Sequence, residues 1–553
     1  MLLRSVRLEN FRAVKSAKIS LEPTTVLIGE NDCGRSSVME AIALALGWNC
    51  AEGAFGFQPF HFHRPGMPAI SITLEFDESS PREWDGEGFG AIRDALANER
   101  GGLRCFYFEV SHAELATHWA FWSDGTAPQR DDREMLAWLR HRMPVFWMAE
   151  GMFAAGPAEG TAMPQANLAT RDLAELVGCQ YRSLLDGTAL DVVAAIEAGS
   201  AAARQLLLEQ VTLLPDRTTP MGEVLEHITG KRKPRSPAGP TGSAQSFGSA
   251  AQKIGTLLVV GALLRAGQPG SAQEIEPLTL IENPEAHLHP MTLASIWSVI
   301  DRIGGQKIIA THSGTLLACA RLSSVRRLTR CGGLIQEWCV PEAALSGDEL
   351  RRYSYHLRSR RAAASFARCW LLVEGETEFW LMSELARICG YDFASEGVVC
   401  VEFAQCGLSA LVKVARCLGI QWHVLTDGDE AGKHYQDSVR PFTDGGGIRD
   451  RVTMLTERDM EHCFWKHGYE GVFLRAAYPN DSSRETAAIR KVPARAVISR
   501  AIDRRSKPYL AAMLLDAAID RGPAGVPQPL RCVIETCIRL ARSAIKARDS
   551  SPD

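Results

Sequence analysis

A chain of 553 residues, 46% hydrophobic and 23% charged, has the composition of an ordinary globular protein and room for roughly three or four domains. Its net charge of −4 argues against a globally basic nucleic-acid coat, so any hold on nucleic acid has to come from local basic patches. Fifteen scattered cysteines, without a CxxC pair, fit a reducing compartment rather than a disulfide or zinc framework.

The first residues, "MLLRSVRLENF", alternate like a strand and lack a signal peptide's apolar core. The longest apolar run, 257–264, is too short to span a bilayer. A cytoplasmic chain with no membrane segment is expected. "VRLENF" and "TTVLIG" read as two strands, the second running into a glycine loop and then the helix "SSVMEAIALAL". Strand alternation returns at 70–76, 104–110 and 117–123. Residues 151–168 are rich in Gly, Ala and Pro and read as a connector, and helical periodicity fills about 170–230. Residues 229–246 are basic and rich in Pro and Gly, with Lys231, Arg232, Lys233 and Arg235 as a candidate basic patch. Buried-type strands follow at 276–282 and 306–313, a charged helical linker at 341–368, and a fresh strand–helix alternation from "CWLLVEG" onward.

Gly29-x4-Gly34-Arg35-Ser36 has the spacing of a phosphate-binding loop, with a strand before it and a helix after it. Backbone N–H groups at such a helix start cradle phosphates, and a serine hydroxyl reaches Mg²⁺. "LTLIENPEAHLHP" is an apolar strand ending in acid, as needed to hold Mg²⁺ through Glu282, and "IIATHS" puts His312 where it can sense a terminal phosphate. "SFGSAAQK" offers a small-residue signature turn centred on Ser249. The candidate ATP and Mg²⁺ residues are Gly29, Asn31, Gly34, Arg35, Ser36, Ser37, Ser249, Glu282, Asn283 and His312. Arg35 stands where such loops carry lysine; it keeps the charge but is larger and planar.

These elements, with "NFR" after the first strand and "E-x-P-E-x-H-L-H-P", resemble the ABC-type ATPase domains of the RecF/SMC/OLD group. Asn283 lies where that group usually places a second acid to activate water, and an amide cannot take a proton. The expectation is ATP binding with slow hydrolysis.

The final third carries a second constellation. "CWLLVEGETEFW" ends a strand with Glu374 and opens a helix near Glu378; "IQWHVLTDGDEAG" ends another with Asp427-Gly-Asp429; "DRVTMLTERDMEHCF" brings Asp459 and Glu461. Acids at the carboxyl ends of parallel strands meet in the crevice where open α/β sheets bind ligands. So many carboxylates repel unless divalent cations neutralise them, and two Mg²⁺ or Mn²⁺ suit in-line phosphodiester displacement.

This pattern resembles the TOPRIM fold, and more closely the OLD-family ATP-dependent endonucleases, over essentially the whole chain. The resemblance implies an ABC-type P-loop ATPase domain with an inserted helical arm, then a Rossmann-like TOPRIM α/β domain with a helical tail. The expected divisions are 1–150 and 246–340 for the ATPase, 151–245 for a dimerisation arm, 341–368 for a linker and 369–553 for TOPRIM and tail.

It further implies Glu374, Glu378, Asp427 and Glu461 as metal ligands, with Asp429 as a further metal residue, directly or through water, and Asp459 as another, where some relatives use a serine. Glu374 and Asp427 would be catalytic together with Lys507 of "SKPYLA", which would stabilise charge on the scissile phosphate. Implied partners are DNA, a second copy of the chain in a homodimer or higher oligomer, and a helicase-type protein, in phage defence or repair. Eight Lys/Arg between Arg484 and Lys507, against two acids, form a landing site for DNA phosphates, with Arg495, Arg500, Arg504 and Arg505 as the candidates. The rival reading is a non-catalytic RecF/SMC-like DNA-binding scaffold.

Overall fold

The computed structural model describes residues 1–148 and 276–549, apart from 48–54, 65–68, 87–88, 94–98, 101–102, 114–115, 124–127, 287–292, 294–296, 298–299, 302, 356–361, 444–446 and 480–491. The expected arm at 151–245, the basic patch at 231–235, Ser249, and Arg484, Arg490 and Lys491 lie outside the described residues. The chain forms two compact units, Met1–Glu337 and Trp338–Asp553.

The first unit is built on one mixed sheet. In chain order its strands are β1 (Leu2–Phe11), β2 (Val14–Ser20), β3 (Thr24–Gly29), β4 (Ile70–Asp77), β5 (Glu99–Arg100), β6 (Leu103–Ala113), β7 (Ala116–Trp122), β8 (Gln129–Arg130), β9 (Val145–Met148), β10 (Leu278–Glu282), β11 (Gln306–Ala310), β12 (Val325–Cys331) and β13 (Leu334–Trp338). The spatial order is β8-β7-β6-β4-β1-β2-β13-β12-β3-β11-β10-β9, with β5 on β6. From β8 to β2 neighbours run antiparallel, whereas β12, β3, β11, β10 and β9 run parallel.

The sequence pattern explains this division. "ISITLEFD" alternates buried and half-buried residues, as suits a sheet face covered on one side. The runs of β3, β10 and β11 are buried almost throughout, as a parallel sheet covered on both faces requires. The helix Arg35–Ala45 packs on β1, β3, β4 and β11 through Val38, Met39, Ile42 and Ala45.

The second unit has a four-stranded parallel sheet of β14 (Cys369–Val373), β15 (Val398–Glu402), β16 (Gln421–Thr426) and β17 (Val452–Met454), in the order β15-β14-β16-β17. The chain leaves β14 in one direction to β15 and returns on its other side to β16. Strand order therefore reverses at β14 and β16, whose carboxyl ends open a ligand crevice. Helices Glu376–Ile388, Leu408–Cys417 and Glu430–Val439 make the crossovers. Helices Met460–Phe464, Glu470–Ala477, Ala494–Arg504, Lys507–Arg521 and Gln528–Asp549 complete the unit, the last lying on β14 and β16.

Part of the stretch read as a linker is packed into this second unit. Ser346 and Glu349 cap the helix Gly347–Tyr353 reciprocally, Tyr353 is buried, and Glu349 pairs with Lys413 at 2.8 Å. No disulfide joins the described cysteines, and no helix among the described residues is long and apolar enough to cross a membrane.

Candidate nucleotide and metal sites

At the carboxyl end of β3 the chain turns through residues 29–34 into the helix Arg35–Ala45. Gly34 is left-handed (φ 95°), and a Cβ there would stand 2.2 Å from Ile335 Cδ1, so the turn requires glycine. Arg12, of the "NFR" triplet, pairs with Glu40 of the helix. Ser36 donates through Oγ to Glu282 Oε1, which brings the expected Mg²⁺-binding hydroxyl and carboxylate together. Asn31 and Ser36 are exposed, Ser37 is buried, and Asn283 (φ 43°) follows Glu282 and donates its N–H to Ala310 O at 2.9 Å.

Arg35 takes a direction that the loop spacing does not reveal. Its guanidinium is buried, Nη1 donates to Thr311 O at 2.9 Å, and Nη2 lies against the His312 ring. His312 N–H donates to Glu285 Oε1 at 2.6 Å. Arg35, Ser36, Glu282 and His312 thus gather around one crevice. Thr311 enters this site through its carbonyl, a role that no residue type announces.

In the second unit Glu374 directly follows β14 and Asp427 directly follows β16, on adjacent parallel strands. Burial, followed by Glu378, Glu374, Asp459 and Glu461, pushes the Asp427 carboxyl up to about 8. Burial and the charges of Asp429 and Glu378 raise Glu374, against the pull of Lys507. Burial raises Glu378 too, with Glu461 adding to it, although Gly375 N–H donates to its Oε2 at 3.2 Å. Lys507 Nζ stands 3.3 Å from Glu461 Oε1; burial lowers its pKa, but Glu461, Glu378 and Asp459 outweigh that and hold it above its ordinary value.

The six acids do not play equal parts. Asp429 caps the helix Glu430–Val439 by accepting from Gly432 N–H at 2.8 Å. Asp459 caps Met460–Phe464, accepting from His462 N–H at 2.8 Å and meeting His462 Nδ1 at 2.6 Å. Among the described residues no three His, Cys, Asp or Glu side chains stand close enough to hold a metal ion as placed. Glu374, Glu378 and Asp427 thus have raised pKa values in a crevice lined by further acids, but the carboxylates do not close on one point, and a shared ion would need side-chain rotation. In donor type they fit a hard divalent cation: all are oxygen ligands, and Glu374 Oε2 is buried with no hydrogen-bond partner among the described residues.

Sequence reasoning missed Gly432, where a Cβ would fall 1.9 Å from Asp427 O. Its signal is present in "DGDEAG", a small residue one helical turn past the acids. Of the arginines expected to bind DNA, Arg495, Arg500, Arg504 and Arg505 are all exposed, but Arg500 Nε and Arg504 Nη1 each donate to Ala477 O at 3.3 Å. Those two also satisfy a last-turn carbonyl of the helix Glu470–Ala477. Arg500 lies over the Tyr478 ring at 4.4 Å, and Arg505 over Tyr509 at 5.3 Å.

A glycine loop in the parallel half of a mixed sheet, followed by a second, parallel sheet with acids at its reversal point, defines an α/β protein with a phosphate-loop-like turn in its first unit and a TOPRIM-type second unit. Residues 366–429 match the model of the Overcoming lysogenization defect protein-like TOPRIM domain, a span that includes Glu374, Glu378, Asp427 and Asp429. Residues 1–364 match the model described as Protein of unknown function (DUF2813), and the chain belongs to that family. The curated protein YbjD of Escherichia coli strain K12, described as uncharacterized, is 32% identical over 580 residues, spanning 98% of this chain and 99% of its own. Among solved structures, the C-terminal region of the Xanthomonas campestris OLD protein is similar at 17% identity, over 32% of this chain and 96% of its own, with a TM-score of 0.28. The SMC head domain of Thermotoga maritima is similar at 12% identity, over 62% of this chain and all of its own, with a TM-score of 0.31.

Proposed function

We propose that this chain is a divalent-metal-dependent DNA endonuclease whose first unit binds ATP, turns it over slowly and thereby gates cutting. One observation carries the reading: Glu374 and Asp427 directly follow adjacent parallel strands, and burial with the acids around them raises both carboxyl pKa values, that of Asp427 to about 8. An enzyme that left such a crevice uncompensated would lose stability for no return, whereas Mg²⁺ or Mn²⁺ and a phosphodiester supply the charge balance.

Glu374, Glu378, Asp427 and Glu461 are the residues that would hold two such ions, with the second oxygens of Asp429 and Asp459 to spare. When bound, the ions polarise the phosphodiester and the attacking water. Lys507, tied to Glu461, stands ready to exchange that carboxylate for a phosphate oxygen. Exposed Arg495 and Arg505 hold the DNA backbone without reading sequence.

In the first unit Ser36 and Glu282 would share the Mg²⁺ of ATP, while Asn283 cannot act as a base, which slows hydrolysis. A homodimer closing the nucleotide site, a role in phage defence or repair, and a helicase-type partner follow from the OLD resemblance.

The alternative of a non-catalytic, RecF/SMC-like DNA-binding scaffold draws on the capping work of Asp429 and Asp459. Nicking of supercoiled plasmid in Mg²⁺ or Mn²⁺ separates the two. Cutting by the wild type and its loss in Glu374→Ala and Asp427→Ala support the nuclease; indistinguishable behaviour of all three supports the scaffold.

A further inference from the structure

Strand β17 has three residues and ends its sheet, yet the segment that leaves it carries Asp459 and Glu461. So short an edge strand, against a usual length of about five or six residues, gives that segment little hold. Two further sets of contacts supply it.

The first is made by the backbone. Pairing with β16 continues past the strand ends: Leu455 N–H donates to Thr426 O at 3.0 Å, and Gly428 N–H donates to Glu457 O at 3.1 Å. These two bonds bracket Asp427. A Cβ on Gly428 would stand 2.3 Å from Glu457 O and 2.4 Å from Leu455 O, so the segment rests directly on the glycine between Asp427 and Asp429.

The second is made by the Glu457 side chain, which is only 7% exposed. Its Oε1 meets Lys466 Nζ at 2.5 Å and accepts from Thr456 Oγ1 at 2.8 Å. Lys466 follows the helix Met460–Phe464, so the pair ties together the two ends of the segment that presents Asp459 and Glu461. A carboxylate so far from water depends on its lysine to stay in place. Because the crevice acids would have to turn to share an ion, the backbone they turn from has to be fixed.

We propose that Glu457 is a positioning residue of the acid crevice. Paired with Lys466 and seated through its carbonyl on Gly428, it holds Asp459 and Glu461 in register with Asp427, so that acids of both segments can reach one cation. The inference rests on the nuclease reading. Glu457 itself ligates nothing, since Lys466 and Thr456 occupy its Oε1 and its Oε2 is buried.

The test reads Mn²⁺ affinity by electron paramagnetic resonance, with plasmid nicking in Mn²⁺ beside it, on the full chain without nucleotide. Glu457→Gln keeps the side chain's shape but loses its charge. It is expected to weaken Mn²⁺ binding by roughly 10- to 100-fold, the loss usual for a residue that orients metal ligands. Lys466→Gln should do the same, and Lys466→Arg should keep most of the affinity. The double variant Glu457→Gln/Lys466→Gln should lose no more than either single one, because the pair acts as a unit. Glu349→Gln is the control: it breaks the Glu349–Lys413 pair of the same unit and should leave Mn²⁺ affinity unchanged. Lys466 is 65% exposed, so Lys466→Gln carries the test should Glu457→Gln not fold.

Wild-type Mn²⁺ affinity in Glu457→Gln and Lys466→Gln, or a loss no greater than that of Glu349→Gln, would make the pair an ordinary salt bridge and overturn the proposal while leaving the metal site standing. Additive losses in the double variant would overturn it as well, since the two residues would then act separately. A wild type that binds no Mn²⁺ removes the nuclease reading and this inference together.

Discussion

Arg35 Nη1 donates to the carbonyl of Thr311 at 2.9 Å, so the residue standing where a phosphate-loop lysine is expected is tied to the end of the neighbouring strand. The same guanidinium lies against His312. A nucleotide phosphate that recruits Arg35 has to draw it from these partners, and His312 with it. A lysine has no fork with which to hold both.

Wild-type ATP turnover should therefore be slow against the roughly 10 s⁻¹ typical of enzymes. Arg35→Lys should bind ATP at least as tightly and turn it over several-fold faster. Arg35→Ala should lose ATP binding and, by leaving the Thr311 carbonyl without its donor, cost about 1–3 kcal/mol in denaturant unfolding. Brisk hydrolysis by the wild type would contradict the slow-gate reading.

Asp427 makes stability depend on pH. Its folded pKa, about 8, lies above its ordinary unfolded value, so between the two the folded state holds a proton that the unfolded state has lost. Its contribution is fully present below pH ~4, falls as pH rises, and is gone above about 8. Asp427→Asn, neutral throughout, should flatten the fall in thermal midpoint between pH 5 and 8 in chelator. Parallel curves for wild type and variant would mean that Asp427 ionises normally.

Lys507 separates chemistry from stability. Its side chain is 54% exposed, so the Glu461 pair is worth no more than about 1 kcal/mol to folding. Lys507→Ala should leave the thermal midpoint within a few degrees of wild type but reduce plasmid nicking by roughly 100-fold, as loss of one preorganised donor to developing charge does. Undiminished nicking would remove Lys507 from the site.

The arginines of the tail should divide in DNA binding. Arg495→Ala and Arg505→Ala should each lower the slope of log affinity against log salt by about 1, without destabilising the fold. Arg500→Ala and Arg504→Ala should also lower the thermal midpoint, because each removes a donor from the Ala477 carbonyl.

What the sequence disclosed follows the range of each physical signal. Glu374 and Asp427 are legible because an apolar run ending in acid encodes both strand and crevice, and the glycine loop is legible because its spacing is local. The double work of Asp429 and Asp459 is not: an acid at a helix start reads equally as ligand and as cap, and only the partner N–H groups of Gly432 and His462 show the cap. Arg35's direction was equally hidden, since Thr311 lies 276 residues away. The tether of Arg500 and Arg504 to Ala477 depends on helix packing that no local pattern specifies.

The most direct measurement of the central claim is Mn²⁺ binding to the full chain without nucleotide, followed by electron paramagnetic resonance. Two ions per chain are expected in the wild type, with loss of at least one in both Asp427→Ala and Glu374→Ala while Glu282→Ala still binds two. A wild type that binds none, or variants that bind as the wild type does, would contradict that claim.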